Sequence, residues 1–116
     1  MATLLQRMRA ARETWFEVVP EVVPARALLL RRPAAVELSR WRGLDDRAVL
    51  AKAIVGWRGF VEIDLVPGGD SAVVPFDIDV ALEWLDERPQ CFMAVCAELN
   101  RLLEADRTVK DEQEKK

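Results

Sequence analysis

A glycine-rich run, Gly68-Gly69-Asp70-Ser71, is the segment of this sequence that comes closest to a known kind of binding loop. Glycine amides can hold a phosphate group where a strand passes into a helix. This run follows Pro67, however, and it has neither the G-K-[S/T] ending nor the G-x-G-x-x-G spacing of nucleotide-binding loops. The sequence therefore does not favour a phosphate site, and we expect no cofactor.

Two pairs of acids, Glu62 with Asp64 and Asp77 with Asp79, could be proposed as paired carboxylates for glycosidic or metal chemistry. A spacing of two residues in a loop or at a helix start is explained more simply by helix capping and solvation. The chain also contains no His and no Tyr, which removes most of the usual groups for proton transfer. We therefore predict no catalytic residue, no metal site and no enzymatic activity.

The two cysteines add no further chemistry. Cys91 and Cys96 are five residues apart, so a helix would place them on diverging sides. Neither has a His or a second Cys pair at the spacing of a zinc site. We predict two buried, reduced thiols.

Four arginines near Trp41 could contact nucleic acid, since arginine binds phosphate and an aromatic ring stacks on a base. They are Arg31, Arg32, Arg40 and Arg42. The formal net charge of −3 and the pI of about 5.1 argue against a polyanion as the partner. A small DNA-binding regulator stays an alternative, and nucleic acid is not the partner that we expect.

The two parts of the chain differ in charge. Residues 1–43 carry eight Arg and four Glu, a net charge of +4, whereas residues 44–116 have a net charge of −7. Two ordinary solvated faces are the simplest explanation, although the same asymmetry would steer a partner or align protomers head to tail.

Length and composition predict one soluble domain with a modest core. The chain has 116 residues, of which 51% are hydrophobic and 32% are charged. No apolar run is long enough to span a membrane, and the N-terminus has no signal-peptide core. A cytoplasmic protein without a membrane partner is expected by default.

The stretch Ile54–Phe76 links two helical patterns, and it holds four of the five glycines and two of the six prolines. We interpret it as a folded connector that determines how the helices pack. Ahead of it, Thr3–Ala11 predicts a short helix, and Thr14–Val19 with Ala25–Arg31 predicts a hairpin around Pro20–Pro24. Both faces of the second strand are apolar, which implies that helices cover the hairpin.

Four further helices follow from local signals. Pro33 predicts the first turn of a short helix that ends near Gly43, and Asp45 or Asp46 predicts the start of a second helix. A third begins after Asp77 as N-cap, and Pro89 opens the last. In the second helix the buried stripe is Leu50, Ala53, Ile54 and Trp57. In the last helix the apolar face is Phe92, Val95, Cys96, Leu99, Leu102 and Leu103.

These patterns predict an α+β fold, a small and mainly α-helical single domain with an N-terminal β-hairpin and about four helices. Residues 1–13 form a partly ordered N-terminal segment, and residues 14–106 form the domain. Residues 107–116 are almost without apolar side chains, so we predict a charged, disordered tail.

Eight large aromatic residues, four Trp and four Phe, are many for so short a chain. Most must belong to the core, but aromatic side chains also dominate binding hot spots. A helical domain with a surplus apolar face would either oligomerise or hold an apolar partner. The residues that we predict for this partner surface are Trp57, Phe60, Trp84, Phe92 and Leu99.

The order of these segments resembles the tail assembly chaperones of long-tailed bacteriophages and prophages. The resemblance covers Trp15 to Leu103, and it differs in the long stretch Glu62–Ala72. The residues that carry it are Arg32-Pro33-Ala34-Ala35-Val36-Glu37, Gly56-Trp57-Arg58-Gly59-Phe60, Val74-Pro75-Phe76, Leu82 and Trp84-Leu85.

The resemblance implies a helical cytoplasmic protein of the bacterial host that acts during virion assembly. Its partners would be the tape measure protein and the tail tube protein. The homo-oligomer remains an expectation from the surplus apolar face and not from the resemblance. An apolar surface would cover the client, and acidic charge would keep the complex soluble. The alternatives are a structural head-to-tail or tail-completion protein and the DNA-binding regulator.

Overall fold

A computed structural model describes residues 2–114 as six helices and a three-stranded antiparallel sheet. This is the α+β, mainly helical domain that the sequence predicts, with more helices than the four expected. The strands are β1 (Glu13–Val19), β2 (Arg26–Arg31) and β3 (Ile54–Arg58), in the order β1-β2-β3. The helices are α1 (Leu4–Ala10), α2 (Ala35–Arg40), α3 (Asp46–Ala53), α4 (Glu62–Leu65), α5 (Ile78–Asp86) and α6 (Pro89–Glu114).

The predicted hairpin is confirmed. β1 and β2 pair antiparallel from Glu13 opposite Arg31 to Val19 opposite Arg26. The Pro20–Pro24 segment joins them, because proline lacks the amide that a paired strand would need. The hairpin carries much of the core, since Leu28 is only 1% exposed.

The third strand corrects the sequence interpretation. The predicted helix through Trp57 ends at Ala53, and Ile54–Arg58 instead pairs with β2. The register shifts between Leu29 and Leu30, which leaves Val55 without a partner in the ladder. Because of this bulge, Ile54 and Trp57 both pack on the core although they are three residues apart. The apolar residues of this strand therefore have the spacing that is typical of a helix.

Helices cover only one face of the sheet. The prediction that helices cover the hairpin is therefore correct for that face and wrong for the other. Helices α3, α5 and α6 pack on the face that contains Leu28 and Leu30. The opposite face, here the outer sheet face, is formed by Trp15, Glu17, Ala27, Leu29, Gly56 and Arg58. Ala27, in the middle of this face, is 0% exposed because its larger neighbours cover it. Trp15 is 42% exposed there, and the guanidinium of Arg58 lies 4.4 Å from the centroid of its ring.

Most helix starts lie where the local signals predict them. Asp45 is the N-cap of α3 and accepts a hydrogen bond from the amide of Ala48 at 2.8 Å. Asp77 caps α5, and Pro89 opens α6. Pro33 is the exception, because α2 begins at Ala35 and the proline precedes the first turn.

Both ends of the described chain are helical. None of the residues of α1 is buried. The predicted disordered tail is wrong for residues 107–114, because α6 continues to Glu114, whereas Lys115 and Lys116 lie outside the described residues. Charged residues at helical spacing support this extension: the Nζ of Lys110 is 2.9 Å from the carboxylate of Asp106.

None of the helices in residues 2–114 combines the length and the apolar character needed to cross a membrane.

Candidate functional site

Four aromatic side chains, here the aromatic row, connect β3 to α5 through the core. Phe60, which is 1% exposed, stacks on Trp57 with ring centroids 4.6 Å apart. It also meets Trp84 edge to face at 5.1 Å, and Trp57 meets Phe76 in the same way at 5.6 Å. Such pairs add to the stability gained from burial.

The structure places the five predicted partner-binding residues in and around this core. Phe60, Trp84 and Leu99 are 1%, 7% and 3% exposed, so these three mainly support the fold. Of the three, Trp84 also lines a surface cleft. Trp57 and Phe92 are half-buried against the core. Trp57 also has a positioning role, because its Nε1–H donates a hydrogen bond to the carbonyl of Val74 at 2.8 Å.

The connector between β3 and α5 folds back on itself. The amide of Val74 donates to the carbonyl of Phe60 at 3.1 Å, and Val61 forms an isolated bridge with Val73. At its tip, the amide of Gly69 donates to the carbonyl of Val66. This hydrogen bond closes a turn and uses one amide of the glycine-rich run within the loop. The amide of Ile63 donates to the carbonyl of Asp70 at 3.0 Å, which holds the loop against α4.

A cleft of about 380 Å³ opens between the C-terminal end of α4 and the side of α5. It is here called the acidic cleft. Its lining residues are Leu65, Val66, Asp79, Val80, Glu83, Trp84, Glu87 and Arg88.

Three exposed carboxylates form one rim of the acidic cleft. Asp79, Glu83 and Glu87 follow one another at intervals of four residues along α5 and its C-cap. Residues four apart lie on the same side of a helix, so the carboxylates form a row about 12 Å long. This row favours a partner that carries positive charges at a similar spacing.

The floor of the acidic cleft is apolar, and Arg88, the one basic residue among its lining residues, is bound to Trp84. Leu65, Val66 and Val80 line the floor beside the buried ring of Trp84. The guanidinium of Arg88 lies 4.5 Å from the centroid of that ring, and its Nη1 donates to the carbonyl of Trp84 at 3.0 Å. The rim therefore keeps an excess of negative charge above an apolar surface.

An ion pair fastens the α4 wall of the cleft to the hairpin. The Nε of Arg26 is 2.8 Å from Oδ2 of Asp64, and its Nη2 is 3.2 Å from Oδ1. Burial by itself would raise the pKa of Asp64. The hydrogen bond from Arg26, the amide of Val61 and the charges of Arg26 and Arg88 outweigh that effect, so the pKa of Asp64 is lowered.

Changing Asp64 to Asn should lower the free energy of unfolding by about 2 kcal/mol at neutral pH, because Arg26 is left partly buried without its anion. A lowered pKa in the folded state stabilises the protein fully above the ordinary pKa of 3.8. That stabilisation is lost as the pH falls through the lowered value. The difference between the two proteins should therefore narrow in acid, as measured by urea unfolding at several pH values.

The matched control for this change is Asp86→Asn, which breaks a more exposed pair with Arg47. The Nε of Arg47 is 3.1 Å from Oδ2 of Asp86, and the two side chains are 48% and 37% exposed. Its loss should cost less than about 1 kcal/mol, since exposed pairs contribute little. Equal losses for the two variants, or a pH-independent effect of Asp64→Asn, would contradict the role given to Asp64.

Trp41, Arg32 and the two cysteines, which are other candidates from the sequence, are at least partly buried. Trp41 is 7% exposed, so its ring is not presented to a nucleic-acid base, and Arg32 lies 3.4 Å from the carboxylate of Asp106. Cys91 and Cys96 are free and half-buried, and burial together with the nearby charge of Asp46 raises the pKa of Cys96. Within residues 2–114, no group of three His, Cys, Asp or Glu side chains is placed to hold a metal ion.

The carboxylate rim is the feature that sequence reasoning misses. The helical pattern alone assigns Asp79 and Glu83 to the solvated outer side of α5. Their spacing with Glu87 is a usable signal, but only the fold shows that the apolar end of α4 lies opposite them.

Comparisons with known proteins gave no relative: no family model, no curated protein and no solved structure matches this chain.

Proposed function

We propose that this protein is a non-enzymatic assembly chaperone that binds a helical segment of a client protein in the acidic cleft. The observation that carries the proposal is the row of Asp79, Glu83 and Glu87 beside an apolar floor. An amphipathic helix with Lys or Arg flanking its apolar stripe complements both parts of such a cleft.

The proposed client is the tape measure protein of a long-tailed bacteriophage or prophage. The support for this choice is the resemblance in the order of segments from Trp15 to Leu103. A tape measure protein is long, coiled and prone to aggregate before the tail tube closes around it. A small acidic protein that covers its apolar stripes in the host cytoplasm would keep it soluble while tube subunits assemble.

The dimensions of the acidic cleft suit a short segment of such a client. A row about 12 Å long spans roughly two turns of a helix. One protomer would therefore cover only a small part of a long client, and several copies would act along its length.

Replacing two of the three rim carboxylates with lysine should strongly weaken client binding. In co-expression with the tape measure protein of the same gene neighbourhood, the double variant Glu83→Lys, Glu87→Lys should capture at least about tenfold less client than the unchanged protein. Opposite charges along the cleft become like charges, which cost both affinity and association rate. The measurement is pull-down followed by sizing of the eluted complex.

The matched control is Asp111→Lys, Glu112→Lys on the exposed end of α6, which changes the net charge by the same amount. It should capture client normally, and circular dichroism should show that both variants fold. If both variants captured equally little client, the effect would come from the net charge of the protein. The cleft would then have no specific role in client binding. A tape measure protein that is soluble without this chain would argue against a chaperone.

Mass spectrometry of purified phage particles separates this proposal from a structural protein of the head-to-tail junction or tail end. A chaperone should be missing from the finished particle. Its presence at a fixed copy number would favour the structural role instead.

A further inference from the structure

The outer sheet face has a regular arrangement of side chains across its three strands. Residues directly opposite one another in an antiparallel sheet point to the same side. One row runs from Trp15 through Leu29 to Gly56.

The next row runs from Glu17 through Ala27 to Arg58. On β1 the two rows end in the large Trp15 and the acidic Glu17. On β3 they end in Gly56 and the basic Arg58.

We propose that a second copy of this chain covers the outer sheet face, with a two-fold axis parallel to the strands and passing over β2. Under this symmetry β1 of each copy lies over β3 of the other. The face becomes self-complementary in shape and in charge, which is what a two-fold interface requires.

The shape argument rests on Trp15 and Gly56. The axis places the exposed indole of Trp15 over the partner's Gly56, where no side chain projects, and brings the two copies of Leu29 together at the centre. The Leu29 side chain covers part of that position, since a Cβ added to Gly56 would lie 3.4 Å from the Cβ and 3.6 Å from the Cδ2 of Leu29. The interface thus brings the Trp15 indole of each copy against the Gly56 and Leu29 of the other, around an apolar centre.

The charge argument rests on Glu17 and Arg58, both of which are exposed. Within the described part of the chain, neither group forms an ion pair. The two-fold axis sets Glu17 of each copy opposite Arg58 of the other, so the interface contains this pair twice. In the single chain the guanidinium of Arg58 reaches across β2 and rests over Trp15, so it turns from that ring to the partner's Glu17 when the dimer forms.

The same charges disfavour the other way of stacking two such sheets. An axis perpendicular to the strands would place β1 over its own copy, with Glu17 against Glu13, and like charges in contact are unfavourable. With the axis parallel to the strands, the two copies of Arg31 meet near the centre but lie between two copies of Glu13. The acidic and basic positions of the face therefore select one geometry.

The area of the outer sheet face sets the strength of this dimer. Three strands are about 14 Å wide, and five residues of strand are about 17 Å long. Such a patch covers about 240 Å² on each copy, which is well below the roughly 800 Å² per partner of a standard specific interface. We therefore expect a weak, concentration-dependent dimer with a dissociation constant near the upper end of the micromolar range. The acidic cleft is formed by α4 and α5, so it belongs to a different surface.

Sedimentation velocity of the full chain, from low micromolar to near-millimolar concentration, tests the proposal. The unchanged protein should shift from monomer to dimer as its concentration rises. Glu17→Arg and Arg58→Glu, measured separately, should each weaken self-association by at least about tenfold, because two opposite-charge contacts become like-charge contacts. Both sites are exposed, and circular dichroism verifies that each variant folds.

Mixing the two variants in equal amounts is the decisive step. In a mixed dimer, the arginine introduced at position 17 of one chain meets the glutamate introduced at position 58 of the other. The unchanged Glu17 meets the unchanged Arg58 at the second contact, so both opposite-charge pairs are restored. Recovery of a dimer in the mixture supports the proposed axis, and Trp15→Ser should abolish it. An unchanged protein that stays monomeric at every concentration, or a mixture that stays monomeric while the unchanged protein dimerises, would overturn the proposal.

Discussion

Replacing Phe60 with Ala is expected to lower the free energy of unfolding by about 4 kcal/mol, which is the largest effect that we predict for one side chain. Phe60 is 1% exposed and contacts both Trp57 and Trp84 in the aromatic row. The change therefore removes buried apolar area, leaves a cavity and breaks two aromatic contacts. Urea unfolding followed by tryptophan fluorescence measures the loss directly.

Phe92→Ala is the matched control, because the same ring is removed from a half-buried position on α6. We expect a loss of about 2 kcal/mol there, since part of that ring is already in contact with water. If the two variants were equally stable, Phe60 would not have the central position that the structure gives it. A variant of Phe60 that does not fold at all would agree with the prediction, and Phe60→Leu then gives a measurable, smaller loss.

Gly59→Ala is expected to cost about 3 kcal/mol for two separate reasons. Gly59 has a φ of +86°, a conformation that residues with a side chain rarely adopt. A Cβ at this position would also lie 2.6 Å from the carbonyl oxygen of Ala25, which is backbone and cannot move aside. The measurement is again the free energy of unfolding in urea.

Gly43 provides a control that separates these two reasons. Its φ is also +86°, but a Cβ there would have no other atom within 4 Å. Gly43→Ala should therefore show the conformational cost alone, about 1 kcal/mol. Similar losses at the two positions would mean that the loop before α4 relaxes away from Ala25 and that the contact does not restrain it.

Signals from neighbouring residues were sufficient to predict much of this fold. The cap at Asp77, the proline at the start of α6 and the proline-bounded hairpin depend on neighbouring residues only, so the sequence predicts them correctly. β3 could not be recognised in that way. Its bulge brings Ile54 and Trp57 to one face at the spacing of a helix, and its pairing depends on the open edge of β2.

In the candidate site, too, the sequence predicts what depends on neighbouring residues and misses what depends on the fold. Composition identifies Trp84 as a large apolar group, and Arg88 contacts it from four residues further along the chain. Its burial beneath the cleft also depends on Phe60, which reaches it only through the fold. For Leu99 the amphipathic pattern predicts a core face, and the residue is 3% exposed in that face. What the sequence could not provide is which apolar face remains open after packing. The sequence therefore predicts the size of these side chains but not the burial of Phe60, Trp84 and Leu99.

The contact between β1 and α6 has a consequence for how the chain folds as it is synthesised. β1 and β2 leave the ribosome early, but the helix that packs against β1 is the last element of the described chain. Until α6 emerges, the apolar side of the hairpin, including Leu28 and Leu30, lacks one of its main covers. Contacts between elements so distant in sequence form slowly. The nascent chain therefore passes through a stage in which this protein itself is prone to aggregate.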